Sequence, residues 1–214
     1  MSLIHICNTF FERELASSSP RHLMEWMRCH PVVLQLQFLP FLYASKEEMI
    51  GVSDLPENPD PRLIPLDQPR MAQISSWGSS LSLLNWAQQK GLSYSIPDWE
   101  IIRTVNSKIF SYSESLRLPG SALIESEDDA KIWIAQTPGP KVLKTAFGTA
   151  GTGHFHVGIS SNLDSFLTKQ FALGLPVIGE PWVERLFDFS TQWKDGTFLG
   201  ATVFETDPKG VYKA

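Results

Sequence analysis

The chain has 214 residues, 43% of them hydrophobic and 19% charged, and a net charge of −5. That is the balance of an ordinary globular protein, long enough for one large domain or two small ones. It excludes a general nucleic-acid surface, for which no basic run is present. Cys7 and Cys29 form no CxxC pair and point to a reduced protein rather than a disulfide scaffold. The N-terminus has no basic segment ahead of a long apolar run, and no stretch approaches the length of a membrane span. The expectation is a cytoplasmic protein without membrane contact.

In chain order, Leu3 to Phe11 is rich in β-branched and aromatic residues and predicts a first strand that ends near Asn8. Pro20, capped by Ser19, predicts a helix through Arg28. Val32 to Phe38 alternates apolar and polar residues in its second half and predicts a second strand, and Met49 to Val52 a short third one. Prolines and aspartates crowd Ser53 to Pro69, which reads as a long irregular connection. Ser79 to Lys90 is helical, with Leu81, Leu83, Leu84 and Trp86 apolar and Gly91 as its stop. Strands alternating with helices predict an open α/β layer over roughly the first hundred residues.

Pro97 to Val105 begins with proline and two acids, Asp98 and Glu100, as a helix start does. Asn106 caps a second helix, Ser107 to Leu116, which Leu118-Pro119-Gly120 ends. Ser126 and the acids behind it open a helix through Ala135. After the Pro138-Gly139-Pro140 turn come a strand, a glycine loop and a strand from His154 to Ile159. Ser161 then caps a helix with Leu163, Phe166, Leu167 and Phe171 on one face and Gly174 at its end. Pro176 to Ile178 is a short strand entering Glu180-Pro181-Trp182-Val183. Phe187 to Trp193, a Lys194-Asp195-Gly196 turn and Thr197 to Glu205 form a β-hairpin.

Chemistry concentrates in Pro140 to Gly153, PKVLKTAFGTAGTG. A short apolar run delivers Lys144, and Gly148, Gly151 and Gly153 follow at once. Backbone N–H groups freed by glycine can close around phosphate oxygens while a strand-borne ammonium meets the same charge. A P-loop is excluded because His154 stands where Lys-Ser/Thr would follow. A dinucleotide fingerprint is excluded because a strand, not a helix, follows the glycines. What remains is a strand–glycine loop–strand lid over a triphosphate, or else a plain hairpin loop with a surface lysine. Lys108, at a helix start, can face an anion, although most helix lysines are simply solvated. Glu180 is either a turn residue or an acceptor for an adenine amine. Asp188, between Phe187 and Phe189, is either an exposed or salt-bridged sheet position or a ligand for ribose hydroxyls.

Asn106-Ser107-Lys108, Val142-Leu143-Lys144 with Gly148 to Gly153, Glu180-Pro181-Trp182-Val183 and Asp188-Phe189-Ser190 together resemble, in order and spacing, the ATP-grasp superfamily. The likeness runs from Leu3 onward and is strongest from Asn106 to Gln192. It implies that Lys108 and Lys144 contact phosphate and that Gly148, Gly151 and Gly153 cover it. It also implies that Glu180 and the backbone of Trp182 and Val183 receive adenine, and that Asp188 binds ribose. The fold class so implied is α/β. A pre-ATP-grasp-like layer (1–96) and a helical connection (97–135) would precede an α+β ATP-grasp lid (136–183) and the first hairpin of the core sheet (184–214).

Many relatives carry an arginine beside the glycine loop, where this chain has Thr152 and His154. The family also binds magnesium through acids and an asparagine in a later segment, and the sequence ends at Ala214 without one. The cofactors implied are therefore ATP, and magnesium with its ligands outside this chain. The function implied is the nucleotide-binding portion of a carboxylate ligase that forms an acyl phosphate, incomplete for catalysis as it stands. The alternative is a non-catalytic ATP-grasp-like interaction module, truncated and without the metal site. The expected partner is a small-molecule nucleotide, not nucleic acid or membrane, and a homo-oligomer stays open. His154 and His156 share one side of a strand but lack further metal ligands in the sequence. Trp77, Trp86, Trp99 and Trp133 read as core rather than base-stacking surface.

Overall fold

The computed structural model describes residues 2–17, 21–148, 152–160, 162–184, 187–194 and 196–205. The chain divides into two compact units, Met1–Val105 and Asn106–Ala214. Both are α/β, the first around a parallel sheet and the second around an antiparallel one.

The first unit runs β1 (Leu3–Ile6), α1 (Phe11–Leu15), α2 (Leu23–Met27), α3 (Pro31–Leu36), a 3-10 turn (Leu39–Leu42), β2 (Met49–Val52), β3 (Leu63–Pro65), β4 (Gln73–Ser76), α4 (Leu81–Gln89) and α5 (Trp99–Val105). Its strands pair in the order β3-β2-β1-β4, all parallel. Buried Ile4, Ile6, Ile64, Leu66 and Ile74 pack with Leu23, Trp26, Leu83 and Trp86 from α2 and α4. That is the two-layer burial an open α/β sheet requires.

One expectation is sharpened here and two change. The first strand stops at Ile6, because Asn8, fully buried, turns its amide to the end of β4. Its Nδ2 donates to Gly78 O at 2.7 Å and its Oδ1 accepts from Gly78 N at 2.9 Å. This pair of hydrogen bonds joins the carboxyl ends of β1 and β4, where an open α/β sheet commonly admits a ligand. The expected strand at Val32 to Phe38 is a helix, α3, with a short turn beyond it. His30 Nδ1 accepts from Val32 N at 3.2 Å and Pro31 occupies the first turn, together a helix start. The inward residues are Val33 and Gln37, four apart, and Gln37 Oε1 accepts from Ser53 N at 2.8 Å. The irregular connection contains β3, an edge strand pairing Leu63, Ile64 and Pro65 with β2. Proline is tolerated at such an edge. Ser19 and Pro20 lie outside the described residues, and α2 begins at Leu23 after His22.

The helix expected around Leu81 forms as α4, capped by Ser80, whose Oγ accepts from Leu83 N at 3.3 Å. Glu14 supplies a second cap from α1. Its Oε1 accepts from Ser82 N and its Oε2 from the Ser82 hydroxyl, both at 2.8 Å. Glu14→Ala leaves that buried N–H without an acceptor and is expected to cost about 1–3 kcal/mol in chemical denaturation. Burial raises the Glu14 carboxyl above its ordinary range, against the pull of the Ser82 bonds. The folded protein therefore holds this proton to higher pH than the unfolded chain does. The resulting stability is full below the unfolded pKa and is lost as pH rises through the folded one. Glu14→Gln should flatten the stability–pH curve in that window, measured by denaturation across an acid-to-neutral pH series.

The second unit runs α6 (Lys108–Glu114), β5 (Ala122–Ile124), α7 (Glu127–Gln136), β6 (Lys141–Thr145), β7 (His154–Val157), α8 (Leu163–Ala172), β8 (Val177–Pro181), β9 (Asp188–Lys194) and β10 (Thr197–Phe204). Its main sheet has the order β5-β8-β6-β7 and is antiparallel throughout. α6 is capped by Ser107 rather than Asn106, the Ser107 Oγ accepting from Phe110 N at 3.1 Å. Ser126 caps α7 as expected. At α8 the cap is Asn162, whose Oδ1 accepts from Ser165 N at 3.0 Å, while Ser161 lies outside the described residues.

Alternation gives this sheet two unlike faces. Leu143, Phe155, Val177 and Ile124 pack with Leu167, Phe166, Phe171 and Trp133 from α8 and α7. Trp133 lies flat on Gly179, where a Cβ would come within 2.8 Å of its ring. The opposite face carries Val142, Lys144, Ile178, Glu180, His154 and His156, as the register requires: Lys144 stands across from Ile178 and His154, and Val142 from Glu180 and His156. Among the described residues β9 and β10 pair only with each other, as the expected hairpin, and Asp195 of its turn lies outside them.

Of the tryptophans expected in the core, Trp86 is buried and Trp99 and Trp133 are partly so. Trp77 is 57% exposed at the end of β4, a correction that follows from the chain leaving the sheet at Gly78. Cys7 is buried and Cys29 exposed, and both are free thiols, with burial pushing Cys7 up to about 11.

Candidate functional site

Glycine and register together place the charged groups of the second unit. Lys144 and Glu180 occupy neighbouring strands one diagonal step apart on the polar face, within reach of long side chains. The Lys144 ammonium bonds the Glu180 carboxylate, each side chain 23% exposed. Lys108 opens α6 close to the end of β6. Its backbone N–H donates to Ala146 O at 2.8 Å, and its ammonium reaches the carbonyl of Gly148. The two lysines approach one place from different elements, one from a strand and one from a helix start.

That place is a cleft of about 240 Å³ lined by Lys108, Tyr112, Arg117, Lys144, Ile178 and Glu180, with Leu116 and Leu118 at its wall. Its size falls below the roughly 300–1,000 Å³ of most ligand pockets, room for part of a nucleotide. Three cationic side chains face a single carboxylate there. The cleft is thus suited to an anion, and its apolar floor and wall to a flat or aliphatic group beside that anion.

The glycine loop is shaped by backbone demands. Gly153 has φ +76°, and a Cβ on it would come within 2.1 Å of Thr145 Oγ1. The Gly153 carbonyl accepts from Thr145 N at 2.9 Å, closing the base of the β6–β7 connection. Gly148 presents its carbonyl to Lys108, and Gly151 lies outside the described residues. Thr152 is exposed and His154 half-buried.

The remaining expected site residues sit around this cleft or apart from it. The Trp182 N–H donates to Pro140 O at 2.8 Å, and its indole meets His156 edge-on with ring centroids 4.6 Å apart. Val183 is exposed just past β8. Asp188 opens β9 opposite Phe204. None of these three lines the cleft. Arg117 and Tyr112 do, with the Arg117 guanidinium 4.7 Å over the Tyr112 ring. Sequence reading passed over both. Arg117 lies beyond the end of α6, where no helical spacing relates it to Lys108.

A larger groove of about 770 Å³ lies in the first unit, walled by α2 and α4. Arg21, His22 and Lys90 are dispersed there among Glu25 and Asp67, and Lys90 already donates to Asp67 O at 2.6 Å. Charge convergence, not volume, singles out the smaller cleft.

No family description and no curated protein matches this sequence. Among solved structures, the chain is similar to N5-carboxyaminoimidazole synthetase from Staphylococcus aureus complexed with ADP. The TM-score is 0.46 and the identity 13%, over 97% of this chain and 56% of that one. It is also similar to an ADP complex of the purK enzyme, N5-carboxyaminoimidazole ribonucleotide synthetase. There the TM-score is 0.42 and the identity 15%, over 95% of this chain and 52% of that one. The chain thus spans about half the length of the solved structures it matches.

Among the described residues no three His, Cys, Asp or Glu side chains gather as a metal site, and no helix is long and apolar enough to cross a membrane. The one carboxylate of the cleft, Glu180, is bonded to Lys144. These residues do not amount to a magnesium site.

Proposed function

We propose that the second unit binds the phosphates of ATP between Lys108 and Lys144, as the nucleotide-binding portion of an ATP-grasp carboxylate ligase. The observation that carries this reading is the convergence of those two ammonium groups on one cleft at the base of the glycine loop. The order of the residues along the chain supports it as well. In this reading Lys144 exchanges part of its bond with Glu180 for phosphate oxygens, and Lys108 exchanges the Gly148 carbonyl for the same. Glu180 then orients Lys144 and accepts from the adenine amine, with the Trp182–Val183 backbone along the purine edge and Asp188 at the ribose. In the same reading 1–96 is the pre-ATP-grasp layer, 97–135 a helical connection, 136–183 the lid and 184–214 the start of the core sheet. Magnesium would supply charge neutralisation at the phosphoryl groups, and among the described residues no cluster of carboxylates is gathered to hold it.

Calorimetric titration of the chain with ATP and magnesium tests the proposal, with inorganic phosphate and adenosine as separate arms. Saturable binding of ATP that neither part alone reproduces is the expected result. Absence of ATP binding up to millimolar concentration would favour the non-catalytic interaction module.

A further inference from the structure

The cleft of the second unit has a cation toward each end, and phosphate accounts for one end alone. α6 packs along β8. It starts at Lys108, whose N–H bonds Ala146 O near the glycine loop, and its seven residues carry the chain about 10 Å. The segment that follows is tied down at the far end of β8. Ser121 N donates to Leu118 O at 3.0 Å, and Trp133 Nε1 donates to Gly120 O at 2.9 Å. Gly120 turns the chain there with φ +85°, and a Cβ on it would come within 3.3 Å of Pro181 Cγ. Val177 and Pro181, the two ends of β8, lie about 13 Å apart. Arg117, three residues ahead of Gly120, therefore belongs to the end with Glu180 and Pro181, and Lys108 to the other.

The donors of Arg117 are also uncommitted. Lys144 bonds Glu180, and Lys108 reaches the Gly148 carbonyl. Among the described residues no acid or carbonyl holds Arg117, whose contact is the Tyr112 ring at 4.7 Å. A cation–π contact steadies the guanidinium and offers no acceptor to its five N–H donors. The ring itself is anchored, the Tyr112 hydroxyl donating to Ser121 O at 3.4 Å.

We propose that Arg117 reads the base of the nucleotide by donating to N7 of adenine. The assignment rests on the reading of Glu180 as acceptor for the adenine amine. Lys144 occupies Glu180 Oε2, which leaves Oε1 for that amine. Adenine has three ring acceptors. N1 lies along the edge given to the Trp182–Val183 backbone, and N3 lies toward the ribose. N7 stands beside the amine on the remaining side. Arg117 and Glu180 line the same cleft, a donor fork and a carboxylate for that acceptor-and-donor edge. Guanine presents two acceptors there, N7 and O6, and would set O6 against the Glu180 carboxylate.

Calorimetric titration of wild type and Arg117→Met with ATP, 7-deaza-ATP and inorganic tripolyphosphate, each with magnesium, tests the assignment. Methionine keeps a long side chain and removes every donor. Wild type should bind 7-deaza-ATP about tenfold more weakly than ATP. Arg117→Met should bind the two nucleotides alike, near the wild-type level for 7-deaza-ATP, with tripolyphosphate unchanged. If Arg117 only shapes the cleft, its loss weakens both nucleotides equally and keeps their ratio, which overturns the proposal. A wild type indifferent to N7 overturns it as well. So does a loss for tripolyphosphate as large as for ATP, which would make Arg117 a phosphate ligand. A wild type that binds no ATP sinks this assignment together with the nucleotide reading, whereas ATP binding without N7 dependence sinks the assignment alone.

Discussion

Lys144→Ala is expected to weaken ATP binding by about 10- to 100-fold, read as the dissociation constant in calorimetric titration with magnesium present. A charge-assisted bond to phosphate is worth about 1.5–3 kcal/mol, and each 1.4 kcal/mol is tenfold in affinity. Two effects run in the same direction. The variant removes an ammonium from the phosphates, and it leaves the Glu180 carboxylate facing them without its partner. Lys144→Ala with Glu180→Gln removes the second effect and should recover part of the loss. Lys108→Ala loses the other contact and should weaken binding to a similar degree, with no carboxylate left behind. Affinities within twofold of wild type for both lysine variants would show that the phosphates bind elsewhere.

Gly153→Ala is expected to destabilise the protein by about 2–5 kcal/mol. A non-glycine residue at positive φ costs about 1–2 kcal/mol, and overpacking adds about 1–3. Both apply at Gly153, with φ +76° and Thr145 Oγ1 2.1 Å from the added Cβ. For a chain of this size the melting temperature should fall by roughly 4–20 °C. Thr145→Ala in the same protein removes the obstructing hydroxyl. The double variant should therefore recover most of the steric share of the loss, with the Phe147 carbonyl still 3.1 Å from the added Cβ, and keep the backbone share, a non-additivity that a double-mutant cycle reads directly. Full additivity would mean the two residues do not press on one another.

The parts legible in the sequence were those with local punctuation. Ser126 with its acids, Gly91 behind the Leu83–Trp86 face and the turn between Trp193 and Phe198 each announce an element by its own chemistry. Val32 to Phe38 failed because its alternation is a by-product of a helix that buries Gln37, a polar residue satisfied by a backbone group from a distant segment. The strands β3, β4 and β5 are three or four residues long and gain their identity only from neighbours, so no local signal marks them. The site divides the same way. The lysines could be read from their order along the chain. The pairing of Lys144 with Glu180 depends on the β6–β8 register, and the place of Arg117 at the cleft on where the chain goes after α6.

The two-faced sheet of the second unit ties affinity to hydrophobic packing. Leu143 and Lys144 are adjacent in the chain and point to opposite sides, so the apolar layer beneath acts as the jig that sets the height and tilt of the ammonium above it. A slip of one residue along β6 would drown the lysine and surface the leucine. Substitutions among the aliphatic and aromatic neighbours of Leu143, remote from any phosphate, should therefore register as changes in ligand grip while the protein still folds.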